Sequence, residues 1–179
     1  MQFMSIEEFA KEIERMEDRY LYRAKRKGSE EWITGNLIQS SDAEDGWEAI
    51  IIPVKNSNMF AKPIGHGCGN LGFENWYRVD PSTICQCTGL KDKNGKLIWE
   101  NDIISYQRDT DNCPFPYKDT KKRLGKVFYK DYRTTFAIGM GKNGSKSLND
   151  DLWKYIQNGN RVEVIGNIFD NPELLESEG

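Results

Sequence analysis

The stretch Lys91-Asp92-Lys93-Asn94-Gly95-Lys96-Leu97-Ile98-Trp99 decides the fold class. Asn-Gly supplies two positive-φ positions, so residues 93–96 predict a β-hairpin closed by a type I′ turn. The outgoing strand should run over residues 97–107, with a break near Asn101-Asp102. Residues 84–88 read as a strand on the incoming side. Outward from here the chain continues as short strands. Residues 20–25 and 31–39 are β-rich runs separated by the turn signal Lys27-Gly28-Ser29. Residues 47–54 form a third, where Ile50-Ile51-Ile52 suits burial on both faces and Pro53 marks an end or an edge. Residues 77–79, 124–130, 134–140 and 162–168 complete the strand pattern.

Two stretches read as loops. Residues 55–76 carry Asn56, Asn58, Pro63 and four glycines, Gly65, Gly67, Gly69 and Gly72. Residues 109–123 are polar, with Pro114 and Pro116. Helical signals are few. Ser5-Ile6-Glu7-Glu8 has the form of a capping box, and Ile6, Phe9, Ala10, Ile13 and Met16 follow at helical spacing. They predict an amphipathic helix over residues 5–19, whose apolar stripe docks on the same chain or on another subunit. Ile6, Phe9, Ile13 and Met16 are the candidate partner or oligomer contacts. Leu148, Leu152, Trp153 and Ile156 predict a short helix over 148–157, ended by Asn158-Gly159. Asn171-Pro172-Glu173 opens a last helical turn. The expected fold is mostly β (α+β). A helix over 1–20 precedes a β-rich domain over 21–176, with a sub-boundary near 95 and a small SH3-like barrel after it.

Composition agrees with a globular chain. Of 179 residues, 37% are hydrophobic and 30% charged, and five Trp, eight Tyr and eight Phe supply large buried areas. The net charge of −3 counts against a protein that coats DNA. No apolar run reaches the roughly eighteen residues of a membrane span. The acidic start lacks the pattern of an export signal, which predicts a cytoplasmic location. Cys68, Cys85, Cys87 and Cys113 are then expected as thiols.

Several stretches together resemble the YopX-like proteins of bacteriophages and prophages. They are Tyr22-Arg23-Ala24-Lys25 with Trp32-Ile33-Thr34-Gly35-Asn36-Leu37, and Asn75-Trp76-Tyr77-Arg78-Val79-Asp80-Pro81-Ser82-Thr83-Ile84. The most specific is Thr88-Gly89-Leu90-Lys91-Asp92-Lys93-Asn94-Gly95-Lys96, leading into Ile98-Trp99-Glu100-Asn101-Asp102-Ile103. Val164-Ile165-Gly166-Asn167-Ile168-Phe169-Asp170-Asn171-Pro172-Glu173-Leu174 matches the family's ending. The resemblance covers residues 21–176. Asn101 stands where the family usually has glycine; if positive φ is needed there, Asn is the next most tolerant residue. Cys85 and Cys87 also depart from the pattern. The resemblance implies a mostly β phage accessory protein that self-associates in the bacterial host cytoplasm. It implies no reaction and no catalytic residue.

Candidate chemistry is sparse. Gly67-Cys68-Gly69-Asn70-Leu71-Gly72 fits the dinucleotide fingerprint, but no buried strand precedes it and no helix follows. His66, Cys68, Cys85 and Cys87 are spaced more tightly than zinc ligands, so packed thiols are the plainer reading and no metal is expected. His66 has no orienting third group to serve Cys68 or Cys113 as a base. Glu100/Asp102 and Asp150/Asp151 read as turn and helix-end residues. No catalytic residue and no cofactor is expected.

Residues 105–135 carry eight cations against four acids, with aromatics interleaved. Phe115, Tyr117, Lys118, Lys121, Lys122 and Arg123 are the candidate binding residues. The expectation is a non-catalytic module that engages a host or phage protein, in its own assembly or as a modulator of host defence. Nucleic-acid binding through residues 105–135 comes second, and an uncharacterised enzyme third.

Overall fold

In the computed structural model, the described residues are 18–40, 48–55, 57–64, 68–107, 121–140, 145–157 and 161–176. Their contacts divide into two units, one over Tyr20–Gln86 and one over Cys87–Gly179 together with the N-terminal segment ending at Arg19. Strand is the dominant element in both, and the fold is mostly β. Of the helix expected over 5–19, only Asp18 and Arg19 fall within the described residues.

The first unit is an antiparallel sheet. Its strands are β1 (Tyr22–Lys25), β2 (Trp32–Gln39), β3 (Ala49–Pro53) and β6 (Tyr77–Arg78), in the order β6-β3-β2-β1. β7 (Cys85–Lys91) begins against β1, pairing Cys85 with Arg23 and Gln86 with Tyr22. Period-two alternation sends Ala24, Ile33, Ala49, Ile51 and Val79 to one buried cluster. Ile51 and Ile52, on opposite faces of β3, are both buried, and the strand stops at Pro53 as its missing N–H requires. Gly35 is fixed by proximity. A Cβ there would stand 2.1 Å from the Ile52 carbonyl oxygen, which belongs to backbone and cannot step aside.

Residues 55–76 are not an irregular loop. β4 (Met59–Ile64) and β5 (Cys68–Phe73) form a two-stranded antiparallel hairpin, in register from Met59↔Phe73 to Ile64↔Cys68. Glycine weakens a strand by propensity, so the composition hid the pairing. The pairing uses it: the Phe60 ring lies on Gly72, where a Cβ would meet Cζ at 2.7 Å.

The second unit carries the expected hairpin between β7 and β8 (Leu97–Trp99). Its turn differs from type I′. Gly95 has φ +80°, whereas Asn94 is not among the described positive-φ residues. The Asp92 carboxylate organises the turn instead. Oδ1 accepts the N–H groups of Asn94 at 2.8 Å and Lys96 at 3.0 Å. Oδ2 reaches across the chain to accept the N–H of Val164 at 3.0 Å. The side chain is buried, so these bonds satisfy a carboxylate that water does not reach.

β8 is broken from β9 (Asp102–Gln107) by Glu100-Asn101. Asn101 takes φ +65°, the conformation tolerated by Asn after Gly. Buried Asp102 closes this turn by accepting the Trp99 N–H at 2.8 Å. β9 lies between β10 (Lys122–Lys130) and β13 (Val162–Asn167); β11 (Thr135–Met140) and β12 (Ser145–Asp151) follow β10. The order β12-β11-β10-β9-β13 leaves an open sheet among the described residues, not a closed SH3-like barrel. α1 (Leu152–Gln157) begins four residues later than expected, because residues 148–151 belong to β12; α2 (Glu173–Glu176) is the last turn. Ile98, Ile104, Tyr106, Val127, Ile138, Leu152, Tyr155 and Val162 form the core. Tyr106 and Tyr155 meet edge to face at 5.2 Å.

Two stability outcomes follow. Asp92→Ala should lower unfolding free energy by about 3 kcal/mol in urea titration, since it orphans backbone donors held by a charged acceptor. Asn101→Gly should be neutral or stabilising, whereas Asn101→Val should cost about 1–2 kcal/mol in the same assay, because a branched side chain resists positive φ.

Candidate binding surface

Phe115, Tyr117 and Lys118 lie outside the described residues, as do Ile6, Phe9, Ile13 and Met16. Lys121, Lys122 and Arg123 can be placed. Lys122 and Arg123 are strand residues and not loop residues, because β10 starts two positions earlier than the apolar pattern suggests. Lys122 faces Gln107 and Arg123 faces Tyr106 across the β9–β10 ladder. Lys121 and Lys122 are exposed; Arg123 is half-buried and donates from Nη1 to the Lys121 carbonyl at 3.1 Å.

The same end of the sheet carries an ion pair. Lys93 Nζ stands 2.7 Å from Glu163 Oε2. The hydrogen bond from Lys93, with the added field of Lys93 and Lys122, holds the Glu163 carboxyl below the ordinary glutamate range. Asp80 is lowered too, chiefly by accepting from the hydroxyl and the N–H of Ser82, at 2.7 and 2.9 Å.

The structure places several residues of the other candidate chemistries in strands and turns. Gly69 and Gly72 sit on β5 and pair with Pro63 and Phe60, so no glycine-rich turn opens a helix there. Cys85 and Cys87 are buried thiols at alternate positions of β7. Cys85 Sγ donates to the Thr83 carbonyl at 3.3 Å, and Cys87 Sγ accepts from the Gly89 N–H at 3.5 Å. Among the described residues no three His, Cys, Asp or Glu side chains are grouped as metal ligands; His66 and Cys113 lie outside them. Asp102 is a turn fastener, and Glu100 Oε1 accepts from the Tyr129 N–H at 3.5 Å. Asp151 pairs with Arg133 at 3.5 Å.

What sequence reasoning missed is on the first unit. Lys25↔Trp32 and Arg23↔Thr34 are cross-strand pairs, so Arg23, Lys25 and Trp32 share the face opposite the apolar cluster. The Arg23 guanidinium lies over the Trp32 ring at 4.9 Å, with Lys25 Nζ at 5.9 Å. Lys25 also pairs with Glu30. Beyond the end of β1, Arg26 bridges to Val79 and its guanidinium lies over the Tyr77 ring at 5.2 Å. Trp76, next in line, is 41% exposed. The signal was present in the run Arg23-Ala24-Lys25-Arg26-Lys27, but its aromatic partners arrive only through pairing with segments up to about fifty residues away.

The family described as YopX protein matches residues 21–176. The chain belongs to the YopX protein family. No curated protein matches it. Among solved structures it is similar to protein EF1440 from Enterococcus faecalis, known from a crystal structure. Identity is 27%, over 86% of this chain and 96% of that one, with a TM-score of 0.51. Within the matched range several polar side chains fasten turns. Besides Asp92, Asn101 and Asp102, Asn167 Oδ1 accepts the N–H groups of Phe169 and Asp170 at 2.9 and 3.0 Å. No described helix of this YopX family member is long and apolar enough to cross a membrane.

In a carboxyl NMR titration, Glu163 should lose its proton at lower pH than an ordinary glutamate. Lys93→Ala should move that midpoint upward, towards the ordinary value. A midpoint indifferent to Lys93 would show that the pair does not hold in solution.

Proposed function

We propose that this YopX protein is a non-catalytic binding module of bacteriophage origin that engages a host or phage protein in the bacterial cytoplasm. One observation carries this reading. Two arginines of the first unit lie over aromatic rings on opposite faces of its sheet, Arg23 on Trp32 and Arg26 on Tyr77, and Trp76 stands exposed next to Tyr77. Arg, Trp and Tyr are the residue types that dominate the energetics of protein interfaces. Stacking restricts the long arginine side chains before a partner arrives, which lowers the entropy lost on binding. Self-association and modulation of host defence are both compatible with such a surface.

A second reading, nucleic-acid binding through residues 105–135, has its own support. Lys121 and Lys122 are exposed where the chain enters β10. That reading predicts affinity falling steeply with salt and with Lys121→Ala/Lys122→Ala.

The deciding experiment is a tagged pull-down from host lysate with and without nuclease, read by mass spectrometry. A stoichiometric protein that survives nuclease is the expected result. Enrichment that vanishes with nuclease would overturn the protein-binding reading in favour of nucleic acid.

A further inference from the structure

Two depressions in the first unit share the side chains of Arg26 and Lys27. One, of about 320 Å³, is walled among the described residues by Arg26, Lys27, Trp76, Tyr77 and Arg78, whose charged members are cationic and whose other two are aromatic. The other, of about 550 Å³, brings in the carboxylates of Glu30, Glu48 and Asp80. Backbone pairing builds the first cleft. The Lys27 N–H donates to the Arg78 carbonyl at 2.9 Å, Arg26 bridges to Val79, and the Arg26 N–H donates to the Glu31 carbonyl at 2.8 Å. Its cations therefore stand on two paired segments. The Arg26–Glu31 ion pair, 3.4 Å long and half-exposed on both sides, is too weak to compete with a well-placed anion.

We propose that the 320 Å³ cleft binds an acidic segment of a protein partner, presenting a carboxylate to Arg26 and Arg78 and an apolar side chain to Trp76. This rests on the protein-binding reading above and names the chemistry of the partner. A guanidinium matches a carboxylate through two parallel N–H donors, a fit that lysine cannot give. Trp and Tyr supply large rigid contact area beside that charge. A phosphate backbone would also match arginine. A continuous nucleic-acid strand leaving the cleft over the shared Arg26–Lys27 rim would meet Glu30, Glu48 and Asp80, which repel it. Asp80 stays ionised through its bonds to Ser82. A short acidic side chain flanked by neutral or basic residues avoids that repulsion.

The test uses the full chain and a fluorescein-labelled peptide with one Glu and one neighbouring Leu in an otherwise neutral Gly/Ser sequence, read by fluorescence anisotropy. The peptide should bind, and its Gln-for-Glu counterpart should not. Arg78→Gln and Trp76→Ala should each weaken binding about tenfold, the size of one lost charged or aromatic anchor. Circular dichroism confirms that each variant is folded; exposed Trp76 and the half-exposed Arg26, as Arg26→Gln, serve should Arg78→Gln fail to fold. Lys121→Ala should change nothing. Equal binding of the Gln peptide, or binding unmoved by the cleft substitutions, overturns the proposal. So does tighter binding of an oligothymidylate that those substitutions abolish, which assigns the cleft to nucleic acid. Lysate capture undiminished in Trp76→Ala overturns the cleft alone, whereas absence of nuclease-resistant capture overturns the protein-binding reading itself.

Discussion

The second unit depends on the Asp92 carboxylate. It accepts from Asn94, Lys96 and Val164, so one side chain closes the β7–β8 turn and ties it to β13. The Lys93 N–H adds a bond to the Val162 carbonyl at 3.0 Å. β13 in turn flanks β9, which supplies Ile104 and Tyr106 to the core. A buried charge is costly unless fully hydrogen-bonded, and it is also directional. Apolar packing alone would permit several placements of β13; the Val164 N–H aimed at Asp92 and the Lys93 N–H aimed at the Val162 carbonyl permit few. Asp102 repeats the device at the β8–β9 turn and Asn167 at the end of β13, where local N–H groups would otherwise lack acceptors.

Much of this was legible along the chain. Asn-Gly announced the hairpin, the isoleucine run announced β3, and Pro53 its end. Asn101 was readable as a left-handed position because few other side chains tolerate one. The misses share a physical cause: each was decided by a specific side-chain or strand-pairing contact that residue periodicity does not register. Asn94 escaped the type I′ conformation because Asp92 offered its N–H an acceptor. The glycine-rich stretch became a hairpin because Phe60 needed a partner without a side chain. Residues 148–151 follow helical spacing, yet β11 recruits them as a strand; pairing overrode periodicity.

The candidate surface was harder to read for the same reason. Arg23 and Arg26 are visible as a basic run, and a basic run on a surface strand usually means only solvation. Their significance comes from Trp32 and Tyr77, which β-pairing and the Arg26–Val79 bridge bring beneath them. Asp92, Asp102 and Asn167 fasten turns, and such residues say little about what the surface holds. Function is better sought where side chains depart from what folding requires, and the cleft that sets exposed Trp76 beside Arg26, Lys27 and Arg78 is such a place.

The bond between Asp92 and Val164 joins residues 72 apart. It therefore also sets an order in time. The first unit has all its strand partners once residue 86 has been made, whereas the hairpin at Asp92 waits for β13. At about 5–20 residues per second of synthesis, that wait is roughly four to fourteen seconds. During it, β9 lacks one of its two neighbours and presents an unpaired edge. The nascent chain is then most open to mispairing with its neighbours on the same message, while the unit that carries the arginine–aromatic surface is already complete.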